Sequence, residues 1–126
     1  MQLAETDVQA TLAVKNLDAA EKFYEGTLGF TRVPGNETGV TSYRCGSSTL
    51  TVYESRFAGT NQATGATWIV DGDLAGLVKD LAAKGVQFEH YDMPGMQLEG
   101  DVHVIGDGKA AWFKDPDGNI LAIVGH

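Results

Sequence analysis

Cysteine is nearly absent. Cys45 is the single one among 126 residues, which excludes an internal disulfide and frees the fold from any oxidising compartment. Two readings of that thiol stand: a nucleophile, or a structural thiol in a strand. No histidine lies near it in sequence, which favours the second. Basic residues are also scarce, with 9 Lys and Arg against 17 Asp and Glu and a formal net charge of −8. Such a surface repels phosphate backbones and anionic lipid, and no basic stripe offsets it. Nucleic acid and membrane surfaces are therefore not expected partners. No apolar run has the length of a membrane span. Met1 to Val8, with Glu5 and Asp7, lacks the basic and apolar regions of a secretory leader, so the expected compartment is the cytoplasm. Neither a Ser-His-Asp arrangement nor a phosphate-cradling glycine loop is visible. Ile105-Gly106-Asp107-Gly108 is too short and runs into a strand rather than a helix.

What is present is a repeat. Apolar residues make up 43% of the chain, enough for one domain over residues 1–126. Thr11 to Leu17 reads as an apolar strand entering a helix, and Thr67 to Leu74 does the same 56 residues later. The first helix carries Leu17, Ala20, Phe23 and Tyr24 on one stripe and reaches toward Leu28, with Asn16 as its N-cap. The second carries Leu74, Leu77, Val78 and Leu81, capped by Asp71 or Asp73 and ended by Gly85. Strands are expected after the first helix at about 31–34, 40–45 and 49–55, and after the second at about 87–91, 108–114 and 119–124. Gly46-Ser47-Ser48 and Asp115-Pro116-Asp117-Gly118 are the hairpin turns. Residues 56–64 read as the linker between units and 92–107 as a long loop. The expected fold is α+β, two βαβββ modules over about 6–56 and 64–125. One helix cannot cover both faces of a four-stranded sheet, so each sheet keeps an open face and the pair forms a curved cup.

Leu12 to Phe30, LAVKNLDAAEKFYEGTLGF, and Ala110 to Val124, AAWFKDPDGNILAIV, resemble the two module signatures of the vicinal-oxygen-chelate superfamily, which holds glyoxalases, bleomycin-resistance proteins and dioxygenases. The resemblance spans nearly the whole chain and implies the duplicated cup. It also implies, for the enzymes of the superfamily, a divalent metal held by about four oxygen and nitrogen ligands from the first and last strand of each module. Carried onto this chain, those positions are Gln9, Thr51, Gly65 and Ala122, a slip of one at the third giving Thr64 or Ala66. Gly and Ala side chains cannot ligate, so Gln9 is the one remaining donor of the expected kind, and no metal or other cofactor is expected. Glu54 falls an odd step from Thr51 and should face away from the cup, although a one-residue slip would bring it in.

Strand alternation turns Gln9, Thr11, Ala13, Thr51, Tyr53, Gly65, Thr67, Ile69, Ile120, Ala122 and Val124 into the cup. Tyr43 and Trp112 are candidate aromatic walls, Trp112 standing open between pocket and core, and Trp68 reads as core. The ligand-binding set is thus Gln9, Thr11, Tyr43, Thr51, Tyr53, Thr67, Trp112 and Ala122. This neutral, hydroxyl-lined pocket suits a small apolar or aromatic molecule. The segment from His90 to Met96 reads as a lid, a partner contact or a surface loop. The resemblance further implies a homodimer. The leading reading is a metal-free binding protein. A second is a metal-dependent lyase, isomerase or dioxygenase in which Gln9, Glu54 and His90 or His103 converge. A third is a metal-free cyclase or epimerase using Tyr53, Tyr43 or a water.

Overall fold

The structure is a computed structural model that describes residues 1–35 and 38–126. In the first half, β1 (Ala10–Val14) leads into α1 (Leu17–Glu21), then β2 (Thr31–Val33), β3 (Val40–Cys45) and β4 (Ser48–Glu54). Asn16 caps α1, its side-chain oxygen accepting from the Ala19 N–H at 3.1 Å. The expected single helix changes winding part-way. Lys22–Thr27 continue α1 as π turns, in which the Leu28 N–H reaches back to the Phe23 carbonyl. Apolar spacing identifies a helix but not its pitch.

The second half repeats the plan with β5 (Thr64–Ile69), α2 (Leu74–Ala83), β6 (Phe88–Glu89), β7 (Gln97–Glu99), β8 (Val102–Ile105), β9 (Gly108–Lys114) and β10 (Ile120–Gly125). Asp73, not Asp71, caps α2 by accepting from the Gly76 N–H. Two expectations need correction here. The strand expected over 87–91 is only two residues long, and the expected loop over 92–107 contains the β7–β8 hairpin. Val102-His103-Val104-Ile105 lies between Gly100 and Gly106, both at positive φ, so the two glycines frame a short strand. β6 and β8 dock successively on the same edge of β9.

The sheets run β1-β4-β3-β2 and β5-β10-β9-β8-β7. Each opens with a parallel pair, β1 with β4 and β5 with β10, and is otherwise antiparallel. Both sheets are therefore mixed, and they meet along their first strands, β1 beside β5. The helices cover one side. There Leu12, Val14, Tyr24, Val52, Leu74, Phe113 and Leu121 belong to a single continuous core.

A buried carboxylate ties the halves together. Asp115, in the turn between β9 and β10, accepts from the Tyr24 hydroxyl at 2.8 Å and from the Asp117 and Asn119 N–H groups at 2.9 Å. The Asn119 amide donates both to Asp115 and to the Ala13 carbonyl of β1, each at 2.7 Å. The Asp-Pro-Asp-Gly-Asn turn thus holds the first helix and the first strand of the other half.

Candidate functional site

Burial alternates along β1, β4 and β5, whereas on β10 Leu121, Ala122 and Ile123 are all buried. On β1, Leu12 and Val14 are buried against the helices while Thr11 and Ala13 turn to the open side. Thr11 is paired with Thr51 on β4, and Ala122 on β10 sits between Thr67 of β5 and Trp112 of β9. Thr11, Thr51, Tyr53, Thr67, Trp112 and Ala122 therefore share the concave face. Gln9 precedes β1 and lies beside it: its amide oxygen accepts from the Thr51 hydroxyl at 3.3 Å. Thr51 in turn shares a hydrogen bond of 3.2 Å with Ser42 of β3.

Tyr43 is a correction. It pairs with Leu50, is fully buried on the helical side, and donates its hydroxyl to Glu25 at 3.0 Å. Period-two alternation on β3 therefore gives the cup Ser42 rather than Tyr43. Burial and the Glu25 carboxylate push the Tyr43 phenol well above its ordinary pKa, so it is a neutral core hydroxyl and not an acid–base group of the cup. Trp68 is on the core side, as expected, its ring tilted against Phe30 with centroids at 5.7 Å.

Gly65 is also displaced from its expected place. It falls in a bulge of β5, skipped between the pairs Ile120–Thr64 and Leu121–Ala66. A Cβ there would come within 2.9 Å of the Leu12 δ methyl, on the core side of β1, rather than point into the cup. Alternation counted back along the sequence from Thr67 therefore misplaces position 65, while Thr67 itself keeps its expected place beside Ala122.

The candidate metal donors fit a divalent ion poorly. Ala122 has no donor atom, position 65 faces Leu12, and Gln9 and Thr51 are engaged with each other. Glu54 pairs with Val14 and so projects to the face opposite Thr51 and Tyr53. His90 bonds Asp101 at 2.7 Å, and His103 lies in β8 rather than in a loop. Among the described residues no three His, Cys, Asp or Glu side chains converge on one point.

Instead the far side of the cup is aromatic. Trp112 packs edge to face on His103 and on Tyr91, with centroids at 4.9 and 5.3 Å. His103 is fully buried, and its Nε2 accepts the Tyr91 N–H at 2.9 Å. That bond puts the proton on Nδ1, which has no partner among the described residues. Next to this cluster the linker 59–64 and the strand–loop 89–93 enclose a groove of about 860 Å³, with Trp112 and Ile120 on its floor and Tyr91, Met93, Asn61 and Gln62 on its walls. Glu89 and Lys114 pair at its edge at 3.1 Å. Tyr91, Met93 and the linker residues were absent from the expected ligand set. Their nearest sequence signal is the aromatic and methionine content of His90 to Met96, part of which lines the groove.

A model of the Glyoxalase/Bleomycin resistance protein/Dioxygenase superfamily matches residues 8–123. No curated protein sequence matches the chain. Among solved structures, an integron cassette protein from the mobile metagenome of a Halifax Harbour sewage outfall superposes with a TM-score of 0.71 at 19% identity, over 97% of this chain and 99% of that one. A lactoylglutathione lyase from Agrobacterium tumefaciens gives 0.69 at 18%, over 96% and 93%. The fosfomycin resistance protein FosX from Mesorhizobium loti gives 0.68 at 12%, over 97% and 92%. At these identities the likeness is one of fold.

Proposed function

The chain belongs to the glyoxalase/bleomycin resistance protein/dioxygenase superfamily, and from that membership we propose that it is a small-molecule binding protein that works without a resident metal and holds an apolar or aromatic ligand in its cup. The observation that carries this reading is the donor set. Where the superfamily's enzymes place ligands, this chain has a methyl group at Ala122, a glycine against Leu12, and a Gln9–Thr51 hydrogen bond. A divalent ion there would lose its hydration shell against one neutral amide and one hydroxyl, with no charge to compensate.

The groove supports the ligand class. Its volume, about 860 Å³, is in the range of drug-sized pockets. Trp112, Tyr91, Met93 and Ile120 offer apolar contact, and Asn61, Gln62 and Thr64 offer a few hydrogen bonds for orientation. A planar ring laid against Trp112 gains aromatic contact as well as area burial. The functional unit in this reading is a homodimer, as the resemblance implies.

Native mass spectrometry combined with elemental analysis tests the proposal on freshly purified protein. The expected result is a dimer with substoichiometric metal and full ligand affinity after chelation. One equivalent of transition metal per chain, whose removal abolishes ligand binding or turnover, would refute it.

A further inference from the structure

On the other side of the cup floor lies a second cavity. Its lining includes Phe30 from the first half, Leu77 and Leu81 from α2, and Trp68, Phe113 and Ile123 from the sheet. The last three are sequence neighbours of Thr67, Trp112 and Ala122, which alternation turns to the cup. They are also paired across the strands, Ile123 with Trp68 and Phe113 with Leu121. The cavity is therefore the back of the same floor, on the helical face of the sheet.

Its chemistry is narrower than that of the groove. It measures about 130 Å³, and every lining side chain is apolar or aromatic. The lining side chains carry one polar hydrogen, the indole N–H of Trp68. A water needs two to four polar partners to be held in such a place, more than that one N–H supplies. A charged or strongly polar solute would lose its hydration with nothing in exchange. A dry apolar cavity of roughly 150 Å³ is known to be enough for benzene. Leu77, 36% exposed, is the most accessible of the lining residues, and Leu28, Phe30, Trp68 and Val70 are partly exposed beside it, so the cavity opens to solvent on this side.

We propose that this cavity is a second small-molecule site, separate from the cup, that takes an uncharged monocyclic arene between Trp68 and the α2 residues Leu77 and Leu81. The two tryptophans make the site readable, because Trp68 lines this cavity and Trp112 lines the groove on the opposite face. The experiment follows the two indole N–H signals in ¹H–¹⁵N spectra of the ¹⁵N-labelled, unsubstituted chain as benzene is added. Trp68→Phe and Trp112→Phe proteins assign the two signals. The expected result is a saturable shift of the Trp68 signal, no such shift with benzoate, and a half-saturation concentration raised at least about tenfold by Leu77→Phe, which fills the mouth. Circular dichroism checks that Leu77→Phe keeps the fold. If it does not, competition between benzene and toluene at the Trp68 signal replaces it, with mutual displacement expected. A saturable shift of Trp112 alone overturns this site while leaving the cup proposal standing. Shifts of Trp68 that grow linearly without saturation, or that benzoate reproduces, overturn it as well.

Discussion

Asp115 is 4% exposed, and four hydrogens are aimed at its two oxygens. A buried carboxylate that lost its donors would have to take up a proton or unfold the turn. The Tyr24 hydroxyl supplies one of the four. Burial and the neighbouring carboxylate raise its own pKa well above the ordinary phenol value. Tyr24→Phe should therefore cost about 1.5–3 kcal/mol, as expected for a hydrogen bond to a charged group. Tyr43→Phe should cost less, because its acceptor Glu25 is partly solvated. Urea denaturation of the two variants measures the difference, and equal losses would refute the assignment. Burial likewise raises the Cys45 thiol above its usual pKa, more than the Trp68 hydrogen bond lowers it. The folded chain thus disfavours the thiolate, and any stability linked to this group is lost as the pH rises past the ordinary thiol range. Alkylation of Cys45 by iodoacetamide at pH 8 should be slower in the native than in the urea-unfolded protein. Native rates equal to or above the unfolded rate would revive the nucleophile reading.

The linker between the halves is positioned by one glycine. Gly59 has φ +76°, and a Cβ there would lie 2.3 Å from the Asp117 carbonyl oxygen. The linker thus packs directly on the Asp-Pro-Asp-Gly turn, which is how residues 59–64 come to wall the groove. Gly59→Ala should cost about 1–3 kcal/mol for the left-handed backbone alone, with the clash added. The melting temperature reads that loss, and a neutral outcome would show that the linker does not rest on the turn. β8 offers a second lesson. Its four residues carry no strict polar–apolar alternation, since His103 is buried on the cup side in a cage of aromatic rings. A buried histidine in a short strand looks, in one dimension, like a polar residue in a loop. The hydroxyl positions Thr11, Thr51 and Thr67 were legible because Leu12, Leu50, Val52 and Trp68 beside them turn to the core. Tyr43 has the chemistry of a cup wall, but its step along β3 turns it to the core.

The halves repeat each other, yet they do not have separate cores. One hydrophobic cluster runs from Leu12 and Val52 through Tyr24 to Phe113 and Leu121. Phe23 packs against Phe113 and Phe30 against Trp68, so the first helix region contacts the second sheet directly. Unfolding should therefore be a single cooperative transition. Urea curves followed by far-ultraviolet circular dichroism, which sees both halves, and by tryptophan emission, which sees only the second, should coincide. Separated midpoints would mean that each module is stable alone. No helix of the described residues is long and apolar enough to cross a membrane.

The duplication, the caps, the two hairpin turns and the superfamily were present in the linear order of residues, because periodicity, capping and turn chemistry act over a few positions. So was the lack of a donor at Ala122, since a methyl group cannot ligate in any fold. The β5 bulge, the engagement of Gln9 with Thr51, and the meeting of Tyr91, His103 and Trp112 were decided only by the tertiary structure. Each depends on register between strands distant in sequence, and a single unpaired residue such as Gly65 resets that register. The cavity behind the floor belongs to the same class: it exists because packing across α2, Phe30 and the second sheet leaves a void that no one of those segments encodes.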